Sequence, residues 1–321
     1  MKILITGGMG VNGAVTARLL LSEGHRPVLL DNRLDLSLIT DIEKKVDLVQ
    51  GDILDTESLD KIVADHGITH IAHLAALMPG PAEADPALGV KVGVDGTLNV
   101  LEVARHRKLE RVVFTSSKAV YGEIIGKHAD PDYVPVDETH DQDPADLYGT
   151  IKVCSETLGT YYHKRYGVDF IALRFGSIYG PGKEVRHGAL SLYGQMIEDV
   201  MADKGFSVAS GGDQLNEALY VGDVAWSIFC ALTVNDPSER VFNIGTGRGV
   251  TLHDFAKILL KLYPGAKIDI GPGLDFRKGE KKSYCIFDIS RARKALAFEP
   301  KFDLEAGIKD YIKSIERLRP R

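Results

Sequence analysis

Cysteine is scarce in this chain: Cys154, Cys230 and Cys285 stand far apart, with no C-x-x-C step. That spacing excludes a disulfide framework and a cysteine-rich metal centre, so no metal ion is expected, and it suits the reducing cytoplasm. Long apolar runs are missing too, and nothing approaches the roughly 20 residues of a membrane span. Met1-Lys2-Ile3-Leu4-Ile5-Thr6 leads straight into glycines and does not read as a signal peptide. Positive charge is not in excess: a net charge of −6 and an isoelectric point near 5.9 leave no electrostatic footprint for nucleic acid or an anionic membrane. Internal repeats and low-complexity tracts are absent. What is present is 321 residues, 44% hydrophobic and 26% charged, the composition of an ordinary globular protein with one large or two unequal domains.

The first half alternates strand and helix. Residues 2–6 form an apolar run of the kind buried in a parallel sheet. Gly7, Gly10 and Gly13 follow, and Ala14 to Glu23 reads as a helix stopped by Gly24. Strand, glycine turn and helix together bring backbone N–H groups to a pyrophosphate. The next strand, 27–31, ends at Asp31, whose carboxylate suits ribose hydroxyls and repels a 2′-phosphate, so NAD is favoured over NADP. Strand 46–50, helix 56–66 and strand 69–74 continue the pattern. Ala75 is small enough for a dinucleotide to pass close, and His73 is expected to be a packed core histidine.

A crossover helix is predicted over 95–106, where Asn99 either faces the cofactor or caps a buried carbonyl. Strand 111–115 runs into Ser116 and Ser117, hydroxyls at the carboxyl edge where open α/β sheets bind ligands. The acidic loop 123–146 has the length of a substrate-side lid. Helix 148–166 then leads to strand 169–174. Beyond this the alternation breaks down, with helices expected at 190–203, 251–263, 290–297 and 304–317 and strands near 206–209 and 241–245.

Tyr148 and Lys152 lie one turn apart on one helix face. A second pair of this spacing, Tyr263 and Lys267, is interrupted by Pro264 and Gly265 and fits no helix. A phenol loses its proton near pH 10, so acting as a base at neutral pH requires a shift of about three units, roughly 4 kcal/mol. Lys152 and an oxidised nicotinamide are expected to supply that shift, giving a base for a hydroxyl proton while hydride leaves the same carbon.

The glycine turn, Asp31, Ser117 and Tyr148/Lys152 stand in one order with Tyr-Gly-Pro-Gly at 179–182, Tyr-Val-Gly-Asp at 220–223 and Phe-Asn-Ile-Gly at 242–245. Together they resemble the extended short-chain dehydrogenase/reductases, and within them the NAD-dependent epimerase/dehydratase family. The resemblance covers essentially the whole chain. It implies a doubly wound parallel sheet of α/β class with a smaller mixed α/β substrate domain, divided as 1–179 plus 219–249 and 180–218 plus 250–321.

It further implies that Gly7, Gly10 and Gly13 form the phosphate turn, that Asp31 holds the ribose, and that Asp52 and Ile53 flank the adenine. Tyr148 becomes the acid or base, Lys152 lowers its pKa and binds the nicotinamide ribose, and Ser117 holds the reacting oxygen. A homodimer through a four-helix bundle is also implied. The substrate is then a sugar-type small molecule, and nucleotide-sugar 4-epimerisation is the leading expectation.

Three departures bear on the substrate. Lys118-Ala119 stands where dehydratases of the family carry Asp-Glu, so elimination of water is not expected. Ser177 replaces an Asn, and Asn216 an Arg, that help bind a diphosphate. Arg277 and Arg186 are candidates to compensate, and His187 belongs to the same substrate side. A dehydrogenase of a free sugar, sugar acid or hydroxy-ketone therefore stays open beside the epimerase, and a non-catalytic NAD sensor is the reading from another class.

Overall fold

The computed structural model describes residues 1–183, 192–277 and 282–318. Four short strands open the chain, β1 (Ile3–Thr6), β2 (Val28–Asp31), β3 (Asp47–Gln50) and β4 (His70–His73), followed by β5 (Arg111–Ser117), β6 (Phe170–Phe175) and β10 (Val241–Ile244). They form a seven-stranded sheet in the order β10-β6-β5-β4-β1-β2-β3, parallel at every pairing. The strand order reverses between β1 and β4, and the crevice for a ligand opens at the carboxyl edge there.

Strand side chains alternate between two cores, as a period of two demands. Ile3, Ile5, Leu29, Ala72, Val113 and Ile171 point to one face. Helix α1 (Val11–Ser22) and the helix Val221–Thr233 cover it. Leu4, Leu30, Ile71, Val112, Phe114 and Phe170 point to the other. Helices α2 (Thr56–Asp65), α5 (Gly96–Arg107) and α6 (Leu147–Tyr166) pack there. A sheet covered on both faces needs near-continuous apolar strands, which is what the opening run of the sequence supplies.

The helix expected over 95–106 forms as α5. Short helices α3 (Pro79–Ala84) and α4 (Pro86–Val90) and a π-turn at Lys91–Asp95 precede α5. Pro79 and Pro86 each stand at the start of a helix, where a missing N–H costs nothing, so the segment begins anew at each. The loop 123–146, expected as a substrate-side lid, is anchored to the rest of the fold. Val136 bridges to Phe287, the backbone N–H of Asn243 donates to Glu138 Oε1 at 2.8 Å, and Ile124 and Val136 share a small core with Tyr121, Cys285 and Phe287.

After β6 come a three-stranded mixed sheet of β7 (Ser177–Tyr179), β9 (Asn216–Tyr220) and β11 (Gly249–Val250), and a parallel pair of β8 (Phe206–Val208) with β12 (Ile268–Ile270). The expected helices appear at Leu192–Met201, Leu252–Leu262, Ser290–Leu296 and Leu304–Leu318. Their apolar residues join the core beneath the large sheet. Among the described residues no helix is long and apolar enough to cross a membrane.

Candidate active site

The site begins where β5 ends. Ser117 Oγ accepts from the Ala119 N–H at 3.2 Å and starts a 3-10 turn, Lys118–Tyr121. The Asp146 carboxylate caps α6 by accepting from the Gly149 N–H at 2.7 Å, a cap of the sort worth about 1 kcal/mol. Gly149 lies so close to the Ala119 carbonyl that any side chain at 149 would collide with it. The first turn of α6 therefore rests on the turn after β5, and Tyr148 is held against Ser117.

Lys152 follows one helical turn later and is 3% exposed. Its ammonium donates to the Thr115 carbonyl at 2.7 Å and lies 4.6 Å from the Phe114 ring centre and 5.4 Å from that of Tyr148. Burial lowers its pKa to about 8, partly countered by Glu156. Burial also pushes the Tyr148 phenol up to about 12; the Ser117 hydroxyl lowers it and Asp146 raises it. The expected acidification of the phenol is thus not a property of the chain alone. Withdrawal of water penalises the phenolate more than the Ser117 hydrogen bond relieves it.

The dinucleotide side is built from backbone. Gly7 turns the chain at φ +66°, and a Cβ on Gly13 would sit 2.5 Å from the Gly7 carbonyl oxygen. No side chain caps the N-terminus of α1 at Gly10, so its free N–H groups are available to an anion. Asp31 ends β2, its Oδ2 accepting from the Met9 N–H at 3.2 Å, and lines an open cavity with Met9, Asn32, Arg33 and Asp35. Ala75 N–H donates to Thr6 Oγ1 at 3.2 Å.

Asn99 takes the second of its two expected roles, donating to the Ile53 carbonyl at 2.9 Å. Ile53 itself is buried, and the exposed Asp52 accepts from the Leu54 N–H at 2.9 Å. His73 is the packed histidine expected, hydrogen-bonded to Thr6 and Thr97, with burial holding its pKa near 3.

At the substrate side one cavity of about 420 Å3 collects Tyr148, Lys152, Ser117, Lys118, Ser177 and Arg277. Asn216 stands just behind, fully buried; it donates to Ser177 Oγ at 3.0 Å and Tyr193 OH at 3.2 Å, so the two substituted positions lean on each other. His187 and Arg186 lie outside the described residues.

Sequence reasoning missed Asn12, Asp146, Gly149, Lys183 and Ser283. The cap and the close glycine were detectable in Asp-Leu-Tyr-Gly at 146–149, whereas Ser283 carries no local signal. Asn12 Oδ1 is buried without a partner among the described residues, and Asn12 lines the same cavity. That orphaned acceptor, the uncapped helix and the acid at the end of β2 fit a bound dinucleotide.

A doubly wound parallel sheet with a glycine turn at its switch point and the mixed sheet beyond it defines an NAD-binding enzyme of the extended short-chain type. The model of the NAD dependent epimerase/dehydratase family matches residues 3–245. A putative UDP-glucose 4-epimerase of Methanocaldococcus jannaschii is 30% identical, with 96% of both chains covered. The mitochondrial L-threonine 3-dehydrogenase of Bos taurus is 27% identical over 94% of this chain and 79% of its own length. The UDP-glucose 4-epimerase of Thermotoga maritima, solved with UDP-glucose, superposes with a TM-score of 0.84 at 26% identity, covering 99% of each chain. The protein belongs to the NAD-dependent epimerase/dehydratase family, and its cofactor is NAD.

Proposed function

We propose that the protein oxidises a carbinol of a sugar-type substrate to a ketone, with Tyr148 as the base, Lys152 as its electrostatic partner and Ser117 holding the reacting oxygen. The observation that carries this reading is the convergence of all three side chains on one cavity next to a dinucleotide crevice. Bound NAD supplies the hydride acceptor and a positive charge beside the phenol. Tyr148 takes the hydroxyl proton, and Ser117 orients that oxygen, an effect that acts through geometry. Lys152, fixed on the Thr115 carbonyl, gives the phenolate a neighbouring cation. Gly7, Gly10 and Gly13 hold the pyrophosphate and Asp31 the ribose, while Asn99 secures the Ile53 segment on the adenine side.

The first substrate reading is 4-epimerisation of a nucleotide sugar, the activity named for two of the relatives above. A second, net dehydrogenation of a smaller substrate, is favoured by Asn216: its amide is engaged by Ser177 and Tyr193 and carries no charge for a diphosphate. Retention of NAD through purification marks the epimerase, and release of NADH with substrate marks the dehydrogenase. A non-catalytic sensor would tolerate loss of Tyr148, so unchanged function in Tyr148→Phe would favour it.

The chain divides functionally into 1–179 plus 219–249 for NAD and 180–218 plus 250–321 for substrate. In solution, α5 and α6 pair with their copies as a four-helix bundle. Tyr161 and Tyr166, 53% and 46% exposed, lie on the outer side of α6. A monomer mass by light scattering at micromolar concentration would refute that assembly. The free thiols fit the cytoplasm.

A further inference from the structure

The chain carries a net charge of −6, yet its central cavity has the opposite sign. Among the described residues Lys118, Lys152, Lys183 and Arg277 line it, against one acid, Asp146, whose carboxylate caps α6. Among the described residues none of the four cations has a carboxylate partner within ion-pair distance. Lys152 belongs to the chemistry above; the other three take no part in it. Lys118 Nζ donates to the Ser283 carbonyl at 2.7 Å and Asn216 Oδ1 at 3.4 Å. An ammonium has three donors, so one remains. Lys183 Nζ donates to the Ile178 carbonyl at 3.1 Å. Arg277 Nε is buried without a hydrogen-bond partner among the described residues. Burial lowers Lys118 to about 8 and Lys183 to about 7, with Arg277 adding to both shifts; an anion among them would reverse this.

We propose that Lys118, Arg277 and Lys183 form a carboxylate subsite beside the reacting carbinol, so that the substrate is a small polyhydroxy acid rather than a nucleotide sugar. The inference rests on the reading above, because it places the anion relative to Ser117 and Tyr148. Two features set the size of the substrate. Lys118 lines the same cavity as Ser117 and Tyr148, so a carboxylate held there shares that space with the reacting carbinol, whereas a diphosphate on a sugar would lie a ring's width from an oxidised C4.

Buried aromatic rings stand beside the cations, and Tyr193 among them lines the cavity. Tyr193 stacks on Phe255 with centroids 4.5 Å apart, and Phe276 packs on Tyr284 at 4.9 Å. The cavity's volume of about 420 Å3 suits a single ligand of modest size, and the nicotinamide end of the cofactor shares that space.

Calorimetric titration of the NAD-loaded protein tests this with D-gluconate, the neutral polyol sorbitol, glucose 6-phosphate and UDP-glucose. Gluconate is expected to bind at least about tenfold tighter than sorbitol or UDP-glucose, a difference of about 1.4 kcal/mol or more. Lys118→Met should remove that advantage, Lys118→Arg should keep most of it, and Arg277→Gln should reduce it several-fold, with NAD binding unchanged in each as the check on folding. Gluconate binding no tighter than sorbitol, gluconate binding untouched by Lys118→Met, or tighter binding of the phosphate ester or UDP-glucose would each overturn the carboxylate assignment. Tyr148→Phe separates the two levels: it should leave gluconate affinity intact while abolishing turnover of any substrate found. Turnover surviving that change would sink the catalytic reading without touching the anion measurement.

Discussion

The two ends of the crevice are made in different ways. The dinucleotide end is made of backbone: a glycine turn, an uncapped helix start and one acid, all within the first 31 residues. The reacting end is made of side chains from β5, α6, β7 and the segments around residues 183, 277 and 283. Backbone recognition depends on the absence of side chains and tolerates little added bulk. Side-chain recognition depends on charges taken out of water, and its chemistry changes with each substitution. A shared cofactor with divergent substrates is what that contrast permits.

The largest expected effect breaks the reacting end alone. Tyr148→Phe should lower kcat by about 10²–10⁴-fold, the usual worth of a positioned base, with NAD affinity unchanged in equilibrium titration at about pH 6, where the phenol is protonated with or without NAD. The converse change is Gly13→Val. Its side chain would meet the Gly7 carbonyl, and a clash of about 2–3 kcal/mol should weaken NAD binding roughly 30–150-fold. A normal NAD affinity in that variant would dissolve the contrast between the two ends.

Lys152 sharpens it through pH. Its folded pKa, near 8, lies below the unfolded value near 10.4, so between those values the unfolded chain binds more protons and stability rises with pH. Relative to Lys152→Met, the wild type should gain on the order of 2–3 kcal/mol between about pH 7 and about pH 11, read from urea midpoints. Parallel curves for the two proteins would mean that this ammonium is not desolvated. The smallest effect is structural: Asp146→Ala should cost about 1 kcal/mol through the lost cap, read as a lower thermal midpoint.

Much of this was legible in the chain. β1 to β6, the turn at Gly7 to Gly13, Asp31 and the Tyr148/Lys152 face follow from local periodicity and spacing, and the fold realises them. The pair of short helices before α5 was written in Pro79 and Pro86, whose helix-starting role was overlooked. The anchored stretch 123–146 was not legible, because Val136 and Glu138 find Phe287 and Asn243 across more than 100 residues. Ser283 and Arg277 reach the cavity by the same long-range route. The direction of the phenol's pKa could not be read at all: spacing shows that a cation is near, and only burial shows how much water both groups have lost.

The central claim is that Tyr148 becomes a base only when NAD lies beside it. Its direct test is the ultraviolet phenolate difference between wild type and Tyr148→Phe, titrated with pH in the presence and absence of NAD. The account predicts no Tyr148 phenolate below about pH 9 in the free protein and its appearance between about pH 7 and 9 with NAD bound. A phenol that stays protonated below about pH 9 in both, or ionises at neutral pH without NAD, would contradict it.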